Sequence, residues 1–270
     1  MSDETDFIAL SLGWGVQSWV LAAMSALGEL PRVDAAIHAD TTHERSATYA
    51  FAEQWTPWLE QHGVRVVTVV NNDKTGTDVL PKRPNGGGEI SIPAYTVRDE
   101  KRGSLRRQCT AHWKIAPVRR WVQANRGKRP VELWLGITTD EWQRAKDADV
   151  RYITHRFPLL DLGMSRADCL RWLRDHDLPT PGKSSCVFCP YLNKKAWEQM
   201  KREGGDDWQR AVAVDASIRD VRLPGQLFVH GRCQPLPDAV SIPEDSGYSQ
   251  LDMLASDDAD ASCDSGFCFL

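Results

Sequence analysis

The sequence predicts an α/β fold: a doubly wound parallel sheet followed by a helical, cysteine-bearing C-terminal extension. Three observations predict it. A short apolar run, Phe7 to Leu10, leads through a glycine-containing turn into a helical pattern. Strand-like and helix-like runs then alternate as far as Val70. Gly28, Pro31 and Gly63 punctuate the alternation where one element should give way to the next. A β-α-β-α-β order implies parallel strands with right-handed crossovers. Ligands of such sheets bind at the carboxyl ends of the strands.

The first of those ends is Ser11 to Ser18, Ser-Leu-Gly-Trp-Gly-Val-Gln-Ser. Gly13 and Gly15 let backbone approach a ligand closely, and the helix opening at Val16 presents unpaired N–H groups and a partial positive charge to an anion. Ser11 and Ser18 add hydroxyls. A Walker loop needs a lysine that is missing here. The dinucleotide fingerprint is half met, with Ser18 in place of the third glycine and Asp40 as the acidic partner. A pyrophosphate-binding S-x-G-x-x-S loop and a plain structural turn are the other readings.

A second strand is expected at Val33 to Ala39, ending in His38-Ala39-Asp40-Thr41. A helix with Ala52, Trp55 and Leu59 on one face follows, then a third strand, Val64 to Val70, β-branched and expected to be buried on both faces. Asn71 to Gly103, with Pro81, Pro84 and Gly86 to Gly88, reads as a long flexible insertion, a substrate lid or recognition flap. A helix should begin near Pro117, tolerated in a first turn. Val131 to Ile137 is a fourth strand, running through Gly136 into the acidic Asp140-Glu141 and Arg144. Arg156 to Asp161 reads as extended, and Ser165 with Asp168 as a capping box opening a helix to His176. Beyond Pro179 and Pro181 lie Cys186-x-x-Cys189 and two helix-like segments, Lys194 to Arg202 and Asp206 to Arg219. The organisation expected is a nucleotide-binding α/β domain over 1–165 with the insertion at 71–103, a helical extension over 166–240 and an acidic, cysteine-ended tail over 241–270.

The 270 residues, 41% of them hydrophobic, are ample for one large core. No stretch of 18 apolar residues occurs and the start, Met-Ser-Asp-Glu-Thr-Asp, lacks a signal pattern, so no membrane association and a cytoplasmic location are expected. The net charge of −4 is uneven: seven acids and no Lys or Arg lie in 241–270, leaving the body at about +3. From Arg98 to Arg129 eleven Lys/Arg face only Asp99 and Glu100. That block is either a solvated face or a grip for a phosphate-rich partner such as tRNA or DNA. Homodimerisation is left open.

Seven cysteines in a reducing compartment favour thiol, metal or cluster chemistry. Cys186 and Cys189 have the spacing to bite one metal or cluster, or to form a redox pair. Zinc would need two more ligands, from Cys109, His112 or the tail. A [4Fe–4S] cluster needs only Cys109, Cys186 and Cys189, with one iron open. Cys169 falls within an apolar helix pattern and reads as core, and Cys233 is uncommitted. Cys263 and Cys268 are either an exposed redox pair or a tail that folds back over the site.

Five motifs in order resemble a known group: Ser11-x-Gly13-x-Gly15-Val16-Gln17-Ser18, His38-Ala39-Asp40-Thr41, Cys109 with Lys114-Ile115-x-Pro117, Gly136-Ile137-x-x-Asp140-Glu141-x-x-Arg144, and Ser184-x-Cys186-x-Phe188-Cys189-Pro190-Tyr191. Together they resemble the phosphoadenosine phosphosulfate (PAPS) reductase-like branch of the ATP-pyrophosphatase (PP-loop, adenine nucleotide α-hydrolase-like) superfamily, of phage and bacterial type. The resemblance implies that residues 11–18, including Trp14, Val16 and Gln17, hold phosphates of ATP or of an adenylylated sulfur donor. His38, Asp40, Thr41 and Gly136 would lie beside the nucleotide. Lys114, Arg119 and Arg144 would meet its anions, and Asp140 and Glu141 would hold Mg²⁺ or serve as a helix-start charge pair. Two departures stand out: Trp14 where a small residue is expected, read as stacking on adenine or on the lid, and no Glu-Cys-Gly-x-x-His ending.

The activity this implies is ATP-dependent, adenylylating sulfur transfer to a nucleic acid or nucleotide, with Asp40, Lys114 and Arg144 in catalysis and an iron–sulfur cluster. The first rival is a PAPS or adenylyl-sulfate reductase, in which Cys263 or Cys268 attacks the sulfonyl sulfur and sulfite leaves. The second is a non-catalytic nucleotide- or nucleic-acid-binding subunit of a DNA-modification or phage-defence assembly.

Overall fold

A computed structural model describes residues 6–73, 76–80, 90–219, 221 and 225–242. In chain order the elements are β1 (Phe7–Ser11), α1 (Val16–Leu27), β2 (Ala35–Asp40), α2 (Ser46–Gln61), β3 (Val66–Val70), β4 (Tyr95–Arg98) and β5 (Lys101–Ser104). A π-helical turn, Thr110–Ile115, runs into α3 (Ala116–Asn125), followed by β6 (Val131–Trp134), a 3₁₀ segment (Thr139–Arg144), β7 (Ile153–Arg156), α4 (Pro158–Asp161) and α5 (Arg166–Asp175). The chain continues as α6 (Lys194–Glu203), α7 (Asp206–Ser217), β8 (Gln226–Phe228) and α8 (Leu236–Ala239).

Two compact units share these elements. The first takes the described residues up to Thr77 and those from Thr110 to Ser185. Its five strands lie in the order β3-β2-β1-β6-β7, all parallel. Strand alternation sends successive side chains to opposite faces. Phe7 and Ala9 of β1, with Ile37 and Leu133, enter a core closed by Val118 and Val122 of α3. Leu10, with Ala36 and Trp134, enters the opposite core, closed by Trp19, Val20 and Leu21 of α1, Leu59 of α2, and Cys169 and Leu173 of α5. The central strands are covered on both faces, as the doubly wound reading requires.

Several expectations are corrected. The third strand is not buried on both faces: Val66, Val67, Val69 and Val70 are half-buried and Thr68 is exposed, because β3 stands at the edge of the sheet. Arg156 to Asp161 is not extended throughout, since Pro158 opens the one-turn helix α4. The chain on both sides of residue 165 lies in the first unit. The capping box of Ser165 and Asp168 forms as expected, but the helix it opens packs into the first unit's core through Cys169 and Leu173. Burial raises the Cys169 thiol to about 12, the inert core role read for it.

The second unit takes the described residues from Asp78 to Cys109 and from Cys186 onward. The expected insertion is therefore not all loop. It holds an antiparallel sheet in the order β5-β4-β8, whose hairpin turns on Asp99 and Glu100, both at positive φ as a tight two-residue turn demands. Buried Asp215 of α7 accepts from the Val229 and Leu236 N–H groups at 2.9 Å each and pairs with Arg219, tying α7 to the turn after β8 and to α8. Gly86 to Gly88 of the proposed flap, and nearly all of the tail with Cys263 and Cys268, lie outside the described residues. Among the described residues no helix is long and apolar enough to cross a membrane.

Candidate functional site

From β1 the chain moves outward one way to β2 and β3, then returns to the other side of β1 for β6 and β7. The order therefore reverses between β1 and β6, and a crevice opens at the carboxyl ends of two strands whose connections diverge. The loops after β1 and β6 are Leu12 to Gly15 and Leu135 to Thr138.

The loop after β1 binds itself into shape. The Ser18 hydroxyl accepts from the Gly13 N–H and donates to the Gly15 carbonyl, both at 3.2 Å. Leu12 N–H donates to Ile37 of β2 at 2.9 Å. Gly15 is the N-cap of α1, with no side-chain cap and no acid in the first turn. The N–H groups of that turn have no intrahelical acceptor. By contrast α5 is capped by its own Ser165 and Asp168, and α6 by Asn193. Gln17 is steadied by Arg166, whose guanidinium donates to its Oε1 at 3.2 Å.

Trp14 departs from the role expected of its ring. Its backbone is left-handed, φ +57°, and the indole turns into the core, 1% exposed, against Trp19 and Phe51. It stacks on protein, so a nucleotide would meet only its backbone. The ring fixes an unfavourable backbone conformation by packing.

The loop after β6 presses on the same helix start. A Cβ on Gly136 would stand 3.0 Å from Gln17 Cβ and from Ser18 N. Beside it the Thr138 hydroxyl is fully buried with no hydrogen-bond partner among the described residues. Buried hydroxyls are seldom left so.

At the end of β2, Asp40 Oδ1 accepts from Thr42 N–H and from the Tyr49 hydroxyl, each at 2.7 Å. Burial first, and then that bond, raise the tyrosine's pKa. Thr42 holds φ +62°, rare for a β-branched residue, and its hydroxyl meets that of Thr77 at 2.9 Å. Thr41 donates to Glu44 at 3.3 Å, and Lys114, carried on the π-helical turn, pairs with Glu44 at 3.3 Å. π-Turns are frequent at functional sites. Glu44 and Tyr49 were not singled out from sequence: Glu44 lies four residues past an expected site aspartate, and nothing in the sequence ties Tyr49 to it.

His38 is buried beneath this rim, its Nδ1–H donating to the Leu12 carbonyl at 3.0 Å. It buttresses the loop and is not open to a nucleotide. Burial lowers its pKa below the ordinary 6.5, against the opposing pull of Glu44. Below pH 6.5 the unfolded chain therefore binds a proton that the folded chain resists, and stability falls with pH until the depressed folded value is reached. We expect the urea midpoint to drop between pH 7.5 and 5.5. His38→Asn, which keeps a donor to Leu12, should flatten that part of the curve; an unchanged slope would assign it elsewhere.

Other expected site residues are engaged by the protein. Asp140 Oδ2 accepts from Arg166 N–H at 2.6 Å, at the start of α5, and Glu141 pairs with Arg144 at 2.5 Å. Asp140 thus serves the start of α5, while Glu141 is held by an ion pair within its own 3₁₀ segment. Arg119 pairs with exposed Asp149 instead of reaching an anion site. Ser11 is buried at the end of β1. The basic block is divided between the units: Arg98 to Arg107 fall in the second, while in the first Lys114, Arg119, Arg120 and Arg129 pair with Glu44, Asp149, Asp73 and Asp34.

Cys109, Cys186 and Cys189 all belong to the second unit, and Cys189 N–H donates to the Cys186 carbonyl at 3.1 Å, closing the C-x-x-C turn. The thiols have the right chemistry for a cluster. Yet among the described residues no three His, Cys, Asp or Glu side chains are gathered to hold a metal ion. The set does not fit a cluster as it is arranged.

Among solved structures the chain is similar to a phosphoadenylyl-sulfate (PAPS) reductase from Candida auris in complex with phosphate, at 12% identity and a TM-score of 0.41, over 66% of this chain and 76% of that one. A likeness at this level assigns neither family nor activity. The chain matches no protein-family model and no curated protein.

Proposed function

We propose that the first unit binds the phosphates of ATP at the start of α1 and that the protein is an ATP-dependent, adenylylating sulfur-transfer enzyme acting on a nucleic acid or nucleotide. The observation that carries this is the uncapped N-terminus of α1, built into a glycine turn at the switch point of the sheet, with the unpartnered Thr138 hydroxyl beside it. The five ordered motifs supply the rest of the reading. An acceptor oxygen attacks the α-phosphorus, the bond to the bridging α,β-oxygen breaks, and pyrophosphate leaves toward the N–H groups of Val16 to Ser18. There charge develops on oxygens that fixed donors already face. Asp40, held by Tyr49 and Thr42, stands at the end of β2 to take a proton or a hydroxyl. Mg²⁺ would accompany ATP through its phosphates; Asp140 and Glu141 would have to leave their present partners to join it. The thiols of Cys109, Cys186 and Cys189 would suit an iron–sulfur cluster by their chemistry but are not gathered for one among the described residues, and no step of the proposal runs through a cluster.

The test is pyrophosphate release from ATP by the full chain, purified without oxygen, with tRNA, DNA and free nucleotides as acceptors. Iron and acid-labile sulfide are measured on the same sample. Acceptor-dependent pyrophosphate with about four irons and four sulfides supports the whole reading. Pyrophosphate release from metal-free protein would remove the cluster and keep the adenylylation. Sulfite from PAPS without ATP cleavage would put the reductase reading in its place. Absence of ATP binding would overturn the assignment of the loop.

A further inference from the structure

The three-stranded sheet of the second unit has β5 at its edge, and all four residues of that strand, Lys-Arg-Gly-Ser, are exposed. The strand carries charge that nothing answers. Residues 98–107 hold five cations and two acids. Arg98 pairs with Asp99 at 3.5 Å, both mostly in solvent. Lys101, Arg102 and Arg106 are exposed and have no ion-pair partner among the described residues. Lys114, Arg119, Arg120 and Arg129 of the first unit differ in this respect, since each has its own acid.

An aromatic ring is built into the same surface. Tyr95 of β4 donates its hydroxyl to the Pro190 carbonyl at 3.5 Å, which ties the end of the C-x-x-C-Pro turn to the hairpin. The next residue, Tyr191, is 42% exposed, and the Arg107 guanidinium carbon lies 5.5 Å from its ring centroid. Arg102 shares the face of Tyr95, because it pairs across the ladder with Val97, two residues further along β4. Burial raises the Tyr95 pKa, with Tyr191 and Cys233 adding to it, and burial raises that of Cys233 against the pull of Arg102. These four side chains are therefore neighbours. Leu105 N–H donates to the Ala94 carbonyl at 2.8 Å and carries the ladder past β5 to Arg106.

Charge on an edge strand can serve only to stop it pairing with another chain. That guard needs neither a ring beside it nor a guanidinium held over the ring. Unanswered cations next to an exposed aromatic suit a single nucleic-acid strand, whose phosphates follow the cations while its unstacked bases lie on rings and guanidinium planes. A duplex keeps the faces of its bases stacked inside and would use the cations alone.

We propose that this surface binds an unpaired stretch of nucleic acid, with phosphates on Arg102 and Arg106, a base stacked on Tyr191, and Lys101 adding its charge at the hairpin tip. The surface stands on the second unit alone. Only its bearing on the acceptor rests on the sulfur-transfer reading.

The test is fluorescence anisotropy of the full chain with a short dye-labelled strand, offered as DNA, as RNA and as the DNA duplex of the same sequence. The expected result is saturable binding of the single strand, about tenfold weaker or more in Tyr191→Ala and recovered in Tyr191→Phe. The duplex should bind less tightly than the strand. With Arg102→Gln and Arg106→Gln combined, the slope of log affinity against log salt should shrink by about 1.4, about 0.7 for each phosphate contact of a single strand. Tyr191→Ala should leave that slope unchanged. Whichever of DNA and RNA binds more tightly names the source of the strand, and either upholds the surface. Wild-type affinity in Tyr191→Ala, a duplex bound as tightly as the strand, or an unchanged slope in the double variant would each overturn the proposal, as would no binding at all. ATP binding at α1, measured separately by calorimetry, should be unchanged in every variant. Oligonucleotide binding by a protein that does not bind ATP would count against the loop alone, and ATP binding without oligonucleotide binding against this surface alone.

Discussion

Gly136→Val is expected to weaken ATP binding about a hundredfold or more, equivalent to about 2.7 kcal/mol or more. A Cβ there already stands 3.0 Å from Gln17 Cβ and Ser18 N, and 3.1 Å from the Gln17 carbonyl carbon. Two of those three atoms are backbone, so no side-chain rotation relieves the contact. The first turn of α1 cannot retreat freely, because Trp19 and Leu21 behind it are fully buried. The strain should therefore move the N–H groups of Val16 to Ser18 away from a bound phosphate. Hydrogen bonds to charged groups contribute about 1.5–3 kcal/mol each, so displacing one or two suffices. Overpacking alone should cost about 1–3 kcal/mol of stability. Gly136→Ala should fall between wild type and valine on both counts. The measurements are ATP calorimetry and urea midpoints on the same preparations. A valine variant that binds ATP as tightly as wild type would mean that the phosphates do not sit at α1.

The elements that could be read from sequence are those whose signal is local. β1, the turn and α1 follow from an apolar run, two glycines and a helical period. The capping box at Ser165 and Asp168 follows from side chains three residues apart. What could not be read is set by partners distant in sequence. The β-branched run of β3 would suit a central strand, and only its place beside β2 makes it an edge. The 95–104 hairpin completes its sheet with β8, more than a hundred residues later, so no local pattern could place it. The basic block looks uncompensated when charge is counted along the chain, whereas in the first unit Asp34, Glu44, Asp73 and Asp149 answer four of its cations.

Trp14 shows the same limit within the site. Its position between two glycines was legible, but the direction of its ring was not. Phe51, which it meets edge-on, lies on α2, beyond β2 in the chain, so no local pattern ties the two rings together.

Lys114→Met is expected to destabilise the protein by about 3–5 kcal/mol, the usual result of breaking one side of a buried ion pair. Glu44 is 2% exposed and Lys114 mostly buried, at 3.3 Å. With the ammonium gone, the carboxylate stays in a region also holding Asp40 and the neutral His38. Adding Glu44→Gln should restore most of the loss, because it removes the buried carboxylate's charge together with the cation that faced it. The double variant also separates the two roles Lys114 could have. If its cation serves only to neutralise Glu44, the double variant should release pyrophosphate at nearly the wild-type rate. If the same cation also meets the developing charge on the nucleotide, stability returns while turnover stays at least tenfold down. Urea midpoints and turnover on both variants decide between them. A single variant as stable as wild type would show that the pair is solvated in solution, and Lys114 would then be free to act on a ligand.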